Sequence, residues 1–301
     1  MPFHDPGFLL IIGYCVFYFL LVYAGLKWAR SRRKSRLPFR EDTRLLRSAG
    51  ETLRIKVSEF EEAFFGEILG ALAVPVIALA GVAALAAIHR FSAIVILGIF
   101  FSSLIIGAGF SMWRVVRLWR NRANYYLGYF GERYVAEYLD KLQPHGWRIL
   151  HDVPVEAAMK KFNLDHVAIG PGGVFVVETK TRRKQSVRPG VPDHKVMFDG
   201  QALHWPWGKS DSYGLDQAEA NARWLAEWLR RETDMHLSVT PVLALPDWWV
   251  DAPARATVRP VRVVNPKQLS RLLNHEPPSL DEDRISLIAA KLEALCRNVE
   301  Y

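Results

Sequence analysis

Residues 163–180 read NLDHVAIGPGGVFVVETK. Gly170-Pro171-Gly172-Gly173 is a strong turn signal, and the runs on either side, Asn163–Ile169 and Gly173–Lys180, have the alternation and β-branched content of strands. The stretch predicts an antiparallel hairpin. With those four residues as the loop, Ile169 faces Val174, and by the same register Asp165 faces Glu178. Period-two alternation puts Asp165, Val167 and Ile169 on one face with Val174, Val176, Glu178 and Lys180. Directly paired side chains sit about 5 Å apart at Cβ, where like charges repel. Two carboxylates so placed on an otherwise apolar face ask for a cation, and hard oxygen ligands suit Mg²⁺ or Mn²⁺. Lys180, two residues along the same face, would stand beside that ion, where it could orient a water or stabilise charge on a phosphate.

The segments around the hairpin add polar residues at apolar positions. Upstream, Asn121–Leu142 reads as a helix with a stripe of Val135, Ala136, Leu139 and Leu142, and Glu132 continues that stripe. A carboxylate aimed at a core needs a partner or a metal. Downstream, Leu215–Arg231 reads as a helix with Leu215, Ala218, Ala222, Leu225 and Leu229 on one face, and Gln217 and Asn221 beside it within reach of the site. Strands are expected over Trp147–Val155, Leu237–Leu245 and Thr257–Val264, with a second hairpin within Val187–Trp205 turning at Asp199-Gly200. Helices are expected over Pro266–Asn274 and Leu280–Val299. The order α-β-β-β-α-β-β-α makes one α/β domain. Taken singly, a Glu-x-Lys strand, a Glu in a first helical turn and a surface Gln are ordinary features; their coincidence in order and geometry carries the reading.

Gly131-Glu132 with Val135 and Leu139, then Leu164-Asp165-His166-Val167, then the run Gly170 to Lys180, then Gln217, resemble the nuclease-related domain, NERD, of the PD-(D/E)xK phosphodiesterase superfamily. The resemblance covers about residues 125–245, and the run Asp165–Lys180 is its most specific part. It implies a restriction-endonuclease-like αβββαβ core and a metal-dependent nuclease site. Asp165 and Glu178 would bind Mg²⁺ or Mn²⁺, with the Thr179 carbonyl as a further ligand. Lys180 would be the catalytic lysine, assisted by Glu132 and Gln217. Leu164 stands where the superfamily's name has proline.

Between Arg182 and Lys209 lie Arg182, Arg183, Lys184, Arg188, Lys195 and Lys209 with Trp205 and Trp207. Two readings stand side by side: cations holding phosphates with tryptophans stacking bases, or a solvated hairpin whose tryptophans pack on the domain or a membrane surface. Trp248-Trp249 read as filling a core edge or touching lipid headgroups. His151, His166 and His194 lack metal-ligand spacing and read as structural.

The rest of the chain is of another kind. Half of the 301 residues are apolar, and the mean hydropathy of +0.02 is high for a polar-surfaced soluble protein, which also excludes a disordered chain. Two cysteines, Cys15 and Cys296, exclude a disulfide framework and a Cys-rich zinc site. Three uncharged stretches, Phe8–Leu26, Ile68–Ile88 and Ser92–Trp113, are each long enough to span a bilayer as helix, and Pro75 in the second is tolerated there. The first has no Lys or Arg before it and is too long for a signal-peptide core, so it reads as an anchor. Lys27, Arg30, Arg32, Arg33, Lys34, Arg36 and Arg40 follow the first stretch, and Arg114, Arg117, Arg120 and Arg122 follow the third. By the positive-inside rule the N-terminus lies outside and the C-terminal part in the cytoplasm, the expected setting being the inner (plasma) membrane of a bacterium. The polybasic stretch could also attract anionic lipid. The expected organisation is a membrane anchor over 1–120, with helices near 8–26, 68–88 and 92–113 and a basic loop 27–67, followed by a cytoplasmic nuclease-like domain over 121–301.

The net charge of +8 does not mark a nucleic-acid face: residues 1–56 hold eleven Lys/Arg against four Asp/Glu, whereas 121–301 hold twenty-four against twenty-three. Two functions follow as expectations. One is a membrane-anchored, Mg²⁺-dependent nuclease acting on DNA or RNA at the cytoplasmic face. The other is a catalytically silent nuclease-fold module that binds nucleic acid or a protein partner at the membrane. Transport is disfavoured, because the three helices carry no intramembrane charge.

Overall fold

The structure, a computed structural model, describes residues 43–87, 92–157, 160–252 and 258–299, with scattered positions between 17 and 28. It divides into two compact units. Glu62–Trp119 belong to the first; Arg44–Glu61 and Arg120–Tyr301 form the second.

The elements in chain order are β1 (Leu45–Leu46), α1 (Glu51–Ala87), α2 (Ala93–Asp140), β2 (Arg148–Ala157), β3 (Lys160–Gly170), β4 (Gly173–Thr179), β5 (Lys195–Phe198), β6 (Leu203–His204), β7 (Ser210–Asp211), α3 (Tyr213–Thr233), β8 (Val239–Ala244), β9 (Trp249–Asp251), β10 (Arg262–Val264), α4 (Leu269–Asn274), α5 (Glu282–Cys296) and β11 (Arg297–Val299). In the first unit the two helices are long and apolar enough to cross a membrane, and their apolar stretches are almost wholly exposed. These are two candidates among the described residues, and they correspond to the second and third of the three expected spans. Phe8–Leu26 lies mostly outside those residues, as do the basic stretch after Lys27 and the short loop His89–Phe91. Pro75 sits inside α1 without ending it. Within this unit Arg114 pairs with Glu67 at 2.5 Å.

In the second unit a five-stranded sheet runs in the order β10-β8-β4-β3-β2. The β3–β4 hairpin has the expected register, Ile169 opposite Val174 and Gly170 opposite Gly173, so the turn proper is Pro171-Gly172. Gly173 has φ +118, which favours glycine, and a side chain at Gly170 would run into the Trp147 ring. β4 then pairs in parallel with β8, and β8 with β10. One sheet face, including Val167, Ile169, Val174 and Val176, packs on Ala222, Leu225 and Leu229 of α3 and Ile285, Ile288 and Leu292 of α5. The other, including Ala168, Phe175 and Val177, packs on Val135 and Leu139 of α2 and Leu269 and Leu273 of α4. The sheet is therefore a layer between helices, as αβββαβ order requires.

Three local expectations change. The terminal helix stops at Cys296, and Arg297–Val299 instead pairs antiparallel with Leu45–Leu46. The second hairpin, β5–β6, is joined by β7 and β9 into a four-stranded sheet of its own. Arg44–Glu61, expected as part of the basic loop 27–67, packs with the second unit. The tryptophan question resolves as packing for Trp205 and Trp248, which are buried with Val196, Phe198 and Leu215, while Trp249 is exposed.

A candidate active site at the end of the hairpin

The β3–β4 ladder ends at His166 opposite Val177, one step short of an Asp165–Glu178 pair. Across from it, β2 and β3 pair through His151–His166 and again through Val153–Leu164, with Asp152 between them at φ +48. Strict alternation fails here. Leu164 and Val167, three residues apart, lie in the same hydrophobic cluster. Asp165 occupies the irregular step. Its carboxylate accepts the Thr179 backbone N–H at 2.7 Å, replacing the missing ladder bond. The two acids thus flank the end of the hairpin without forming the directly opposed pair that simple alternation predicts.

Glu178 is buried and its oxygens are divided between two donors. Lys180 Nζ donates to Oε1 at 2.6 Å, and Asn221 Nδ2 to Oε2 at 2.8 Å. Lys180 also donates to Gln217 Oε1 at 2.9 Å, and its ammonium lies 5.4 Å from the centre of the Tyr213 ring. Gln217 and Asn221 reach one cluster because four residues are about one helical turn. Gly214, at the start of the same helix, keeps the Lys180 stem and Leu243 close: a Cβ there would lie 3.2 Å from each.

Glu132 enters from α2, which covers the other sheet face, and is also buried. The neighbouring Gly131 has no side chain where Thr181 packs against the helix. Behind the site His166 is fully buried, 3.2 Å from Thr179 Oγ1 and 2.9 Å from His151 Nδ1, and His151 continues to Asp140 at 3.1 Å. Burial and His151 hold His166 in its neutral form, well below the usual histidine range.

The carboxylates form one electrostatic group. Burial, then Glu178 and Glu132, push Asp165 well above the usual range, against the Thr179 N–H and Lys180. Burial raises Glu178, opposed by Lys180 and Asn221. For Lys180 burial works against the charge, but Glu178 and Asp165 outweigh it and hold the ammonium protonated. Glu132 is pushed up to about 8 by burial, Asp152 and Glu178, against Lys180 and the Gly50 N–H. Among the described residues no three His, Cys, Asp or Glu side chains cluster closely enough to hold a metal by themselves.

A folded carboxyl raised above its unfolded value contributes stability that is complete below about 4.5 and is lost as the pH climbs through about 8. In metal-free protein, Glu132→Gln removes this loss. Its Tm relative to the unsubstituted chain is expected to rise between pH 5 and 9 by at least about 3 °C, the shift of roughly 1 kcal/mol in a unit of this size. Parallel Tm–pH curves would show Glu132 titrating normally.

Sequence reasoning did not anticipate the N-terminal support of this site. Arg47 and Thr52 both bond Asp152, through the Arg47 guanidinium and through the Thr52 N–H and hydroxyl at 2.8 and 2.9 Å. Asn163 donates to the other Asp152 oxygen at 2.6 Å. Asp152 therefore holds the first turn of α1 through the Thr52 N–H. No local pattern signals a contact between residues a hundred positions apart.

Residues 127–246 match the profile of a family described as the nuclease-related domain, NERD, which is less than half of the chain. No curated protein and no solved structure matches it. The mixed α/β core, with Asp165 and the Glu178-Thr179-Lys180 run at one hairpin end, fits the PD-(D/E)xK superfamily.

Proposed function

We propose that the second unit is a metal-dependent phosphodiesterase of nucleic acid, held at the cytoplasmic face of a plasma membrane by the apolar helices of the first. The observation that carries this reading is the Lys180 ammonium bonded to both Glu178 and Gln217 beside the half-buried Asp165 carboxylate. The donor chemistry suits Mg²⁺ or Mn²⁺. Desolvation raises both carboxylates and repulsion raises Asp165 further, so the pair is short of positive charge, and Asp165, Glu178 and the Thr179 carbonyl would hold the ion. When bound, such an ion activates water and stabilises the phosphorane charge.

The chain's own residues would do the rest. The Thr179 N–H fixes the rotamer of Asp165, and Asn221 that of Glu178. Gln217 aims the Lys180 ammonium, which is placed to orient the attacking water or to neutralise a non-bridging phosphate oxygen. Glu132, neutral over most of the physiological range, keeps the cluster's negative charge down.

The test is cleavage by the full chain in detergent micelles with Mg²⁺ or Mn²⁺, across single-stranded, double-stranded and branched DNA and RNA. Cleavage of none of them overturns the reading. Thermal melting gives a second readout. Mn²⁺ at about 100 times its Kd is expected to stabilise the unsubstituted chain by roughly 2.7 kcal/mol and to leave Asp165→Asn unmoved.

One observation favours a second reading, a silent nuclease-fold module: both Glu178 oxygens already have protein donors. Such a module would show no Asp165-dependent Mg²⁺ or Mn²⁺ heat in calorimetry.

A further inference from the structure

A groove of about 670 Å³ opens where the chain leaves β4, between α2 and the loop after β8. It adjoins the site along the chain. Lys180 points at Glu178 and Gln217, Thr181 packs against Gly131, and the next three residues, Arg182, Arg183 and Lys184, line the groove. Opposite them α2 presents Phe130, 60% exposed, and Tyr134.

The three cations differ in how firmly they are held. Arg182 pairs with Asp211 at 2.5 Å and lies 4.5 Å over the Trp205 ring, so it is fixed in place. Arg183 and Lys184 are exposed. Arg183 donates to the Ala123 carbonyl at 3.2 Å, and Lys184 lies 3.5 Å from Asp247, which is the acid in the lining. Exposed contacts of this kind are worth little and yield readily to a polyanion. The groove therefore combines net positive charge on one wall with open aromatic faces on the other.

We propose that this groove binds the single-stranded nucleic acid flanking the scissile phosphate, with phosphates on Arg183 and Lys184 and an unpaired base on Phe130. The proposal rests on the nucleic-acid reading of the adjacent site and names its substrate as single-stranded. Charge alone would accept a duplex, but a paired base inside its stack cannot offer a face to Phe130, whereas an unpaired one can. Cations beside an exposed phenylalanine would also suit an anionic lipid surface, and the test separates the two.

The probe is a fluorescent oligothymidylate of about 16 nucleotides, the upper end of a single-strand footprint. Anisotropy is read with the full chain in micelles and chelator present, so that binding is measured without cleavage. The Arg183→Glu/Lys184→Glu variant is expected to weaken binding at least about tenfold and to flatten the log Kd–log salt slope by about 1.4, two phosphate contacts at roughly 0.7 each. Phe130→Ala is expected to weaken binding about tenfold with the slope unchanged, since stacking releases no counterion. A blunt duplex of the same length should bind more weakly than the single strand. Either variant within about twofold of the unsubstituted chain, or duplex binding equal to single-strand binding, overturns the proposal. So does charge reversal that lowers flotation with phosphatidylglycerol vesicles and leaves oligonucleotide binding intact. Groove binding without any metal-dependent cleavage removes the nuclease reading alone; Asp165-dependent cleavage with binding insensitive to all three residues removes the groove alone.

Discussion

Asp165→Asn and Glu178→Gln are each expected to lower metal-dependent phosphodiester cleavage by at least about 10³-fold, roughly 4 kcal/mol of transition-state stabilisation. Both substitutions keep shape, although glutamine at 178 leaves an oxygen for only one of the two donors, Lys180 and Asn221. In Asp165→Asn the new amide oxygen can still accept the Thr179 N–H that Asp165 accepts at 2.7 Å, so the irregular end of the hairpin remains satisfied. What disappears is one negative charge from a group in which Asp165, Glu178, Glu132 and Lys180 all bias one another. Glu178→Gln also takes the counter-charge from Lys180, whose ammonium is then opposed by burial with less to offset it, so its pKa falls. The surviving cleavage should therefore decline at lower pH than in the parent. Steady-state rates from about pH 6 to 10 check this, and an Asp165→Asn chain that cleaves within about tenfold of the parent would sink the assignment of that residue.

The second large effect concerns folding. Arg47→Met is expected to destabilise the second unit by about 3–5 kcal/mol, because it leaves a buried carboxylate without its cation. The side chains of Arg47 and Asp152 are 12% and 4% exposed, so solvent cannot replace the lost partner. The double variant Arg47→Met/Asp152→Asn should recover most of the loss: with the charge gone the desolvation penalty goes too, and asparagine tolerates the φ of +48 at that position. Chemical denaturation of the full chain in micelles, followed by tryptophan fluorescence, gives both numbers. A loss under about 1 kcal/mol for the single variant would mean that Asp152 is satisfied without Arg47.

The hairpin was legible because its determinants are local. A Gly-Pro-Gly-Gly turn and a period of two set the register from Gly170–Gly173 to His166–Val177. Gln217 and Asn221 were legible for a similar reason, since helical spacing puts them on one face whatever the rest of the fold does. The geometry of Asp165 was not. Alternation holds only while both strands stay regular, and β2 leaves regularity at Asp152, whose side chain is held by contacts with Arg47, Thr52 and Asn163 that no short window contains. The last strand was hidden for a related reason. Arg297-Asn298-Val299 follows a helix without a break in composition, and only its pairing with Leu45–Leu46 makes it a strand. Glu132 lies between these cases: its place on the apolar stripe was visible, but its approach from the opposite sheet face depends on tertiary packing.

The pairing of β1 with β11 also sets an order of events during synthesis. Arg47 leaves the ribosome 251 residues before Asn298, whose side chain it bonds. At roughly 5–20 residues per second the nascent chain carries an unpaired edge strand for some tens of seconds. Through that interval Leu45 and Leu46 are free to meet the wrong partner, and the speed at which the intervening residues are translated becomes a determinant of yield.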